Sequence, residues 1–169
     1  MTEATKTLFL VRHAKSSRDD PRLADRDRPL NTRGKRDAPE MARRVARRSE
    51  RPEVIVTSPA LRAKATATVI ADELRLGSAH LVTKEPLYDA TADALLQVIR
   101  GLDDRYSRAM IVGHNPGMTE VANLLAGASI ENVPTCGIVI VRLAAVSWAG
   151  IRVGTGDLVH FDFPKREPQ

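Results

Sequence analysis

Apolar residues in this chain fall into short unbroken runs separated by longer stretches of helical period. Leu8-Phe9-Leu10-Val11, Val54-Ile55-Val56 and Ala109-Met110-Ile111-Val112 are of strand length, with no polar residue inside them. Runs of this kind describe strands covered on both faces, as in a parallel sheet, rather than half-exposed strands that alternate. They predict strands over Thr7–Arg12, Val54–Thr57 and Ala109–Val112. Three more are predicted: His80–Lys84, Cys136–Leu143, and the glycine-bearing Trp148–Asp157, paired to its predecessor in a hairpin.

Helical spacing fills the intervals. One helix is predicted from an Asn31 or Thr32 N-cap to about Arg48, with Pro39 marking a kink or a broken first turn. Others are predicted over Ala60–Leu74, Ala92–Arg100 and Met118–Ala126, the first of these with Leu61 and Val69 on its apolar side. Strands alternating with helices indicate an α/β fold: three layers, α/β/α, around a mainly parallel sheet of about six strands, closed by an antiparallel C-terminal edge hairpin. The length suits one domain over 1–169, with its core at about 7–158 and a frayed tail at Pro164–Gln169. The polar loop at residues 16–31, with Pro21 and Pro29, is a candidate rim for a site.

Composition narrows this little. Hydrophobic residues make up 43% and charged residues 28%, as in ordinary globular proteins, and aromatics are only 4%, so the core is aliphatic. A lone cysteine, Cys136, excludes an internal disulfide framework and fits a reducing, cytoplasmic setting. It reads as a small buried apolar residue. No run of 18 apolar residues suggests a membrane span. Net charge is +5 and uneven: residues 1–53 carry fifteen Lys/Arg against nine Asp/Glu. Part of that excess, Arg43, Arg44, Arg47 and Arg48, lies opposite Met41 and Val45 and reads as a solvated helix face. Without aromatic residues interleaved among the cations, nucleic acid is not an expected partner. No exposed apolar stripe is evident, which favours a monomer.

Chemistry concentrates at three predicted strand ends. The first strand runs into Arg12 and His13; the second into Ser58 and, one helical turn on, Arg62; the fourth into Gly113-His114-Asn115-Pro116-Gly117. Taken alone, Arg12-His13 is equally a strand meeting solvent. A parallel sheet, however, brings these carboxyl ends to one edge, where open α/β folds bind ligands. Arg62 sits in the first turn of its helix, beside the positive end of the helix dipole, a poor place for a cation unless an anion joins it. Two imidazoles and two guanidiniums in one crevice suit a phosphoryl group. Asp19, Asp20, Asp25 and Asp27 read as loop charge balancing Arg18, Arg22, Arg26 and Arg28, and His80 and His160 as incidental.

These residues carry a resemblance. Arg12-His13-Ala14 is similar to the Arg-His-Gly signature of the histidine phosphatase (phosphoglycerate mutase-like) superfamily, with Ala for Gly. Ser58-Pro59-Ala60-Leu61-Arg62-Ala63 resembles its second arginine motif, Gly113-His114 its second histidine, and Pro29-Leu30-Asn31-Thr32-Arg33-Gly34 its helix start. His13-Ala14-Lys15-Ser16 and Gly113–Gly117 look closer to the SixA-like phosphohistidine phosphatases. Ala65 departs from the family's usual Gln, which bears on packing more than on chemistry.

The resemblance implies a hydrolase acting through a covalent phosphohistidine on His13, with Arg12, Arg62 and His114 binding the phosphoryl oxygens. Ser16 would add a hydroxyl, and Asp89 or else Glu85 would be the acid for the leaving group. It implies no metal and no cofactor, in keeping with the lack of an acidic cluster or a Walker-type glycine loop. The expected partner is a phosphorylated protein, phosphohistidine first, or a small phosphoester. A phosphosugar or phosphoglycerate mutase and a non-catalytic phospho-ligand module are the alternatives.

Overall fold

The computed structural model describes residues 4–167. In chain order it contains β1 (Thr5–Arg12), α1 (Thr32–Ala46), β2 (Val54–Thr57), α2 (Leu61–Leu74), β3 (Leu81–Thr83), α3 (Ala92–Arg100), β4 (Arg108–Gly113), α4 (Gly117–Ala126), β5 (Ile138–Ala144) and β6 (Asp157–Asp162). The strands form one sheet in the order β3-β2-β4-β1-β5-β6. β3, β2, β4 and β1 are mutually parallel, while β5 runs antiparallel to both β1 and β6.

The unbroken apolar runs have the expected cause. Successive strand side chains point to opposite faces, so Leu8, Leu10, Ala109 and Ile111 pack under α3 and α4. Phe9, Val11, Met110 and Val112 pack under α1 and α2. All eight are buried. The ladder then fixes the heights at which these strands end: Arg12 pairs with Gly113, and Thr57 with Val112. The residues that follow each strand emerge side by side.

α1 begins where expected, with Asn31 Oδ1 accepting from the Gly34 amide at 2.8 Å. Gly34 is required there, because a Cβ would stand 2.2 Å from the Lys15 carbonyl oxygen. The helix runs through Pro39 without a break and stops at Ala46, two residues early. Its stripe of Ala38, Met41, Ala42 and Val45 is anchored in the core and holds the helical path across the missing amide. In α2 the phase differs from expectation. Leu61 is 44% exposed, and the buried face is Ala63, Ala67, Ile70, Ala71 and Leu74. Alanine at two successive turns lets α2 lie close to α1.

The sixth strand is the main correction. It comprises Asp157–Asp162, and Trp148–Gly156 is a loop. Trp148 is fully buried at the sheet edge, with Nε1 donating to the Tyr106 carbonyl at 2.8 Å and its amide to Asp104 at 2.8 Å. A buried indole needs such a partner, and the turn that supplies it is incompatible with a strand. The arginine face of α1 is also less free than expected. Arg44 is 11% exposed and bonds Glu40, Asp162 and the carbonyls of Phe163 and Pro164. That ties down the start of the expected frayed tail; residues 168 and 169 lie outside the described residues.

Candidate active site

Arg12, His13, Ser58, Arg62 and His114 meet in a cleft of about 340 Å³ at the carboxyl ends of β1, β2 and β4; Ser58 lies behind its wall. His13 is held from behind. Its Nδ1 lies 2.7 Å from the Ala14 carbonyl oxygen and donates to it, which leaves Nε2 with its lone pair facing Arg62 Nε at 3.3 Å. The Ala14 amide is fixed by Thr66 Oγ1 at 2.9 Å, and that hydroxyl donates to the Arg62 carbonyl at 2.8 Å. α2 thus positions both the histidine and the arginine.

Arg12 donates through Nη1 to the Val133 carbonyl at 3.0 Å. Its Nε is buried and has no hydrogen-bond partner among the described residues. A buried guanidinium donor left unpaired is costly unless a ligand takes it up. Burial also lowers the Arg12 pKa from its ordinary value. His114 is pinned by Ser58 Oγ, 2.7 Å from Nε2, while Nδ1 lies 3.5 Å from Arg62 Nη2. The two imidazole rings are 5.1 Å apart. α4 starts just beyond His114 and is locked in place, since a Cβ on Gly117 would stand 2.1 Å from the Ala90 carbonyl oxygen.

The electrostatics are one-sided. Burial above all, with His114, Arg62 and Arg12 adding to it, pushes His13 down to about 3 against a smaller opposing effect of its bond to Ala14. Burial and Arg62 bring His114 to about 4. Both rings are therefore neutral at pH 7, and His13 Nε2 carries a lone pair, held by Arg62 Nε at 3.3 Å, without needing a base.

The other candidates separate. Asp89 lines the cleft, in a left-handed backbone conformation at φ 50°. Glu85 is 71% exposed, paired to Arg26 at 2.5 Å, and outside the cleft walls. Ser16 is in the wall, its hydroxyl accepting from Arg28 at 2.8 Å. His80 bonds the Tyr106 hydroxyl and His160 neighbours Asp162, both away from the cleft.

Asp25 is the residue that sequence reasoning missed. Far from being loop ballast, its carboxylate accepts from Arg62 Nη2 at 2.9 Å, from Arg28 at 3.0 Å and from the Tyr88 hydroxyl. Its carbonyl takes Arg62 Nη1 at 2.6 Å. The Tyr88 bond, with help from Arg62 and Arg28, holds the Asp25 carboxyl well below the usual carboxylate range. A single 3-10 turn at Asp25–Asp27 folds the rim loop back onto α2. Nothing in an Asp/Arg-rich loop distinguishes Asp25 from Asp27 before that turn is seen.

The model of the histidine phosphatase superfamily (branch 1) fits residues 8–90, the stretch that holds Arg12, His13 and Arg62. The chain belongs to the histidine phosphatase superfamily. An uncharacterized protein of Mycobacterium leprae is 31% identical over 167 residues, covering 92% of this chain and all of that one. A structure from Agrobacterium tumefaciens named for the phosphohistidine phosphatase SixA superposes with a TM-score of 0.81 at 25% identity, covering 94% and 98% of the two chains. The protein histidine phosphatase SixA bound to tungstate shares the fold, with a TM-score of 0.78 at 23% identity over 94% and 97%. This member of the superfamily is thus SixA-like in architecture. Among the described residues no cluster of three or more His, Cys, Asp or Glu is placed to hold a metal ion, and no helix is long and apolar enough to cross a membrane.

Proposed function

We propose that this protein is a phosphatase that carries the phosphoryl group on His13. The observation that carries the reading is the buried, unprotonated Nε2 of His13, aimed at Arg62 by the bond from Nδ1 to Ala14. In the first step Nε2 bonds to phosphorus. The bond from phosphorus to the leaving atom breaks, and its electron pair departs with the leaving group. In the second step water attacks the phosphohistidine, releasing phosphate and restoring the neutral ring.

Arg12 and Arg62 offset the charge on the equatorial oxygens, where preorganised donors act most strongly. Ser58 Oγ pairs with His114 Nε2 at 2.7 Å and fixes the ring; in the tautomer in which the hydroxyl donates, Nδ1 carries the proton and donates to a phosphoryl oxygen. Asp89 lines the cleft and is the carboxyl left to serve the leaving group, since Asp25 is committed to Arg62 and Glu85 to Arg26.

Phosphohistidine in a protein is the substrate favoured over a small phosphoester. An imidazole leaves with less protonation than an alkoxide, and the cleft offers a single uncommitted carboxyl. The test is turnover of a phosphohistidine protein and of an aryl phosphate, with acid quench to trap the phosphoenzyme. His13→Ala abolishes turnover and label while the far-ultraviolet circular dichroism persists. Undiminished turnover by His13→Ala overturns the reading.

A further inference from the structure

The cleft holds more positive charge than one phosphoryl group requires. Five cations line it (Arg12, Lys15, Arg18, Arg28 and Arg62) against two carboxylates, Asp25 and Asp89. Three of the five have defined work. Arg62 and Arg28 are paired to Asp25, and Arg12 is anchored on the Val133 carbonyl. Lys15 and Arg18 are different. Both are exposed, both face the cleft, and neither has a carboxylate within ion-pair distance among the described residues. The neighbouring carboxylates do not compensate Arg18: Asp19 is not within ion-pair distance of it, and Asp20 is taken by Arg22. Lys15 is also set firmly: its carbonyl accepts from the Asn31 amide at 3.0 Å, and the backbone of α1 packs against it at Gly34. The ammonium therefore projects from a fixed backbone two residues beyond His13.

We infer that Lys15 and Arg18 form a second anion subsite, which binds a carboxylate or phosphate on the leaving part of the substrate, beside the phosphoryl group transferred to His13. This deepens the phosphatase reading and rests on it. The substrate class it defines is an anionic one. The second charge comes either from acidic side chains flanking a phosphorylated residue or from a second acidic group on a small phosphoester.

The experiment compares matched pairs that differ in that charge alone. One arm uses phosphoglycolate against ethyl phosphate. The other uses a histidine-phosphorylated peptide with aspartate flanks against the same peptide with serine flanks. The wild-type protein prefers the charged member by roughly tenfold in kcat/KM at low ionic strength, the scale expected for one partly solvated charge pair. The preference shrinks as salt approaches physiological strength. In a Lys15→Met/Arg18→Met variant the ratio falls towards one. The ratio is the readout, because a merely structural loss lowers both members together. A preference confined to the small pair identifies a small substrate, and one confined to the peptides an acidic protein surface; either supports the subsite. Equal turnover of both members by the wild-type protein, or a preference that survives the double substitution, overturns the subsite and leaves the phosphatase reading intact. No turnover and no trapped phosphoenzyme with any of the four overturns both.

Discussion

Acid should unfold this protein through its active site. His13 and His114 are 8% and 5% exposed, and their pKa values are depressed to about 3 and about 4. In the unfolded chain both titrate at about 6.5. The unfolded state therefore binds protons that the native state refuses. Stability from these groups is full above the unfolded pKa and is lost as pH falls below it. At pH 5 each unfolded imidazole is almost fully protonated and each native one almost fully neutral. The linkage relation then gives a loss of about 2 kcal/mol per histidine relative to pH 7, or about 4 kcal/mol for the pair. Asp25 does not blur this window. Its depressed carboxyl contributes stability above the unfolded carboxylate value, which is lost only at more acid pH. The assay is urea denaturation at pH 7 and pH 5 for the wild-type protein, His13→Asn and His114→Gln. Each variant lacks one titrating group, so its drop between the two pH values should be smaller than that of the wild type by about 2 kcal/mol. An equal drop in all three proteins refutes the assignment of both rings as buried and neutral.

Other perturbations probe the supports of the site. Asp25→Asn removes the charge that orients Arg62 and should lower kcat on an aryl phosphate about tenfold, with little change in melting temperature because the side chain is 52% exposed; a rise in kcat would mean that Asp25 competes with substrate for Arg62. Ser58→Ala leaves His114 Nε2 buried without its partner at 2.7 Å and should cost about 1–3 kcal/mol in urea denaturation while weakening inhibition by inorganic phosphate. Gly34→Ala drives a Cβ to 2.2 Å from the Lys15 carbonyl oxygen, so it should destabilise by several kcal/mol and reduce soluble yield at 37 °C.

What could be read from the chain and what could not divide along a physical line. Strands β1, β2 and β4 are continuous apolar runs, and a buried parallel strand leaves no other pattern available to it. Their ends were legible for the same reason. A run that stops at Arg12-His13, at Thr57-Ser58 or at Gly113-His114 marks where the sheet edge lies, and parallel pairing places those marks together. The sixth strand is misplaced in the sequence because Asp157–Asp162 is an edge strand with Asp157 and Leu158 exposed and no apolar residue buried, while the stronger apolar signal belongs to Trp148 in a loop. Leu61 and Asp25 failed for a related reason. One is an apolar residue left outside by the phase of α2; the other is one of four aspartates in a loop whose path is set by contacts up to 63 residues away.

Asp25 also changes how the cost of the site is understood. Buried Arg62 and half-buried Arg12 converge on one cleft, and α2 adds the positive end of its dipole to them. Like charges gathered in this way oppose folding unless something negative answers them. For Arg62 the answer is internal: Asp25 offers both a carboxylate oxygen and a carbonyl oxygen, and Arg28 and Tyr88 hold that carboxylate in register. For Arg12 there is no such answer, only the Val133 carbonyl and an orphaned Nε. The two arginines are therefore not equivalent. Arg62 is preorganised by the protein and can meet a phosphoryl oxygen without further ordering, which is the condition for electrostatic catalysis. Arg12 is left for the substrate to complete, so its unmet donor favours binding of the phosphoryl group itself. The asymmetry commits the protein's own carboxylate to Arg62 and leaves Arg12 to the ligand.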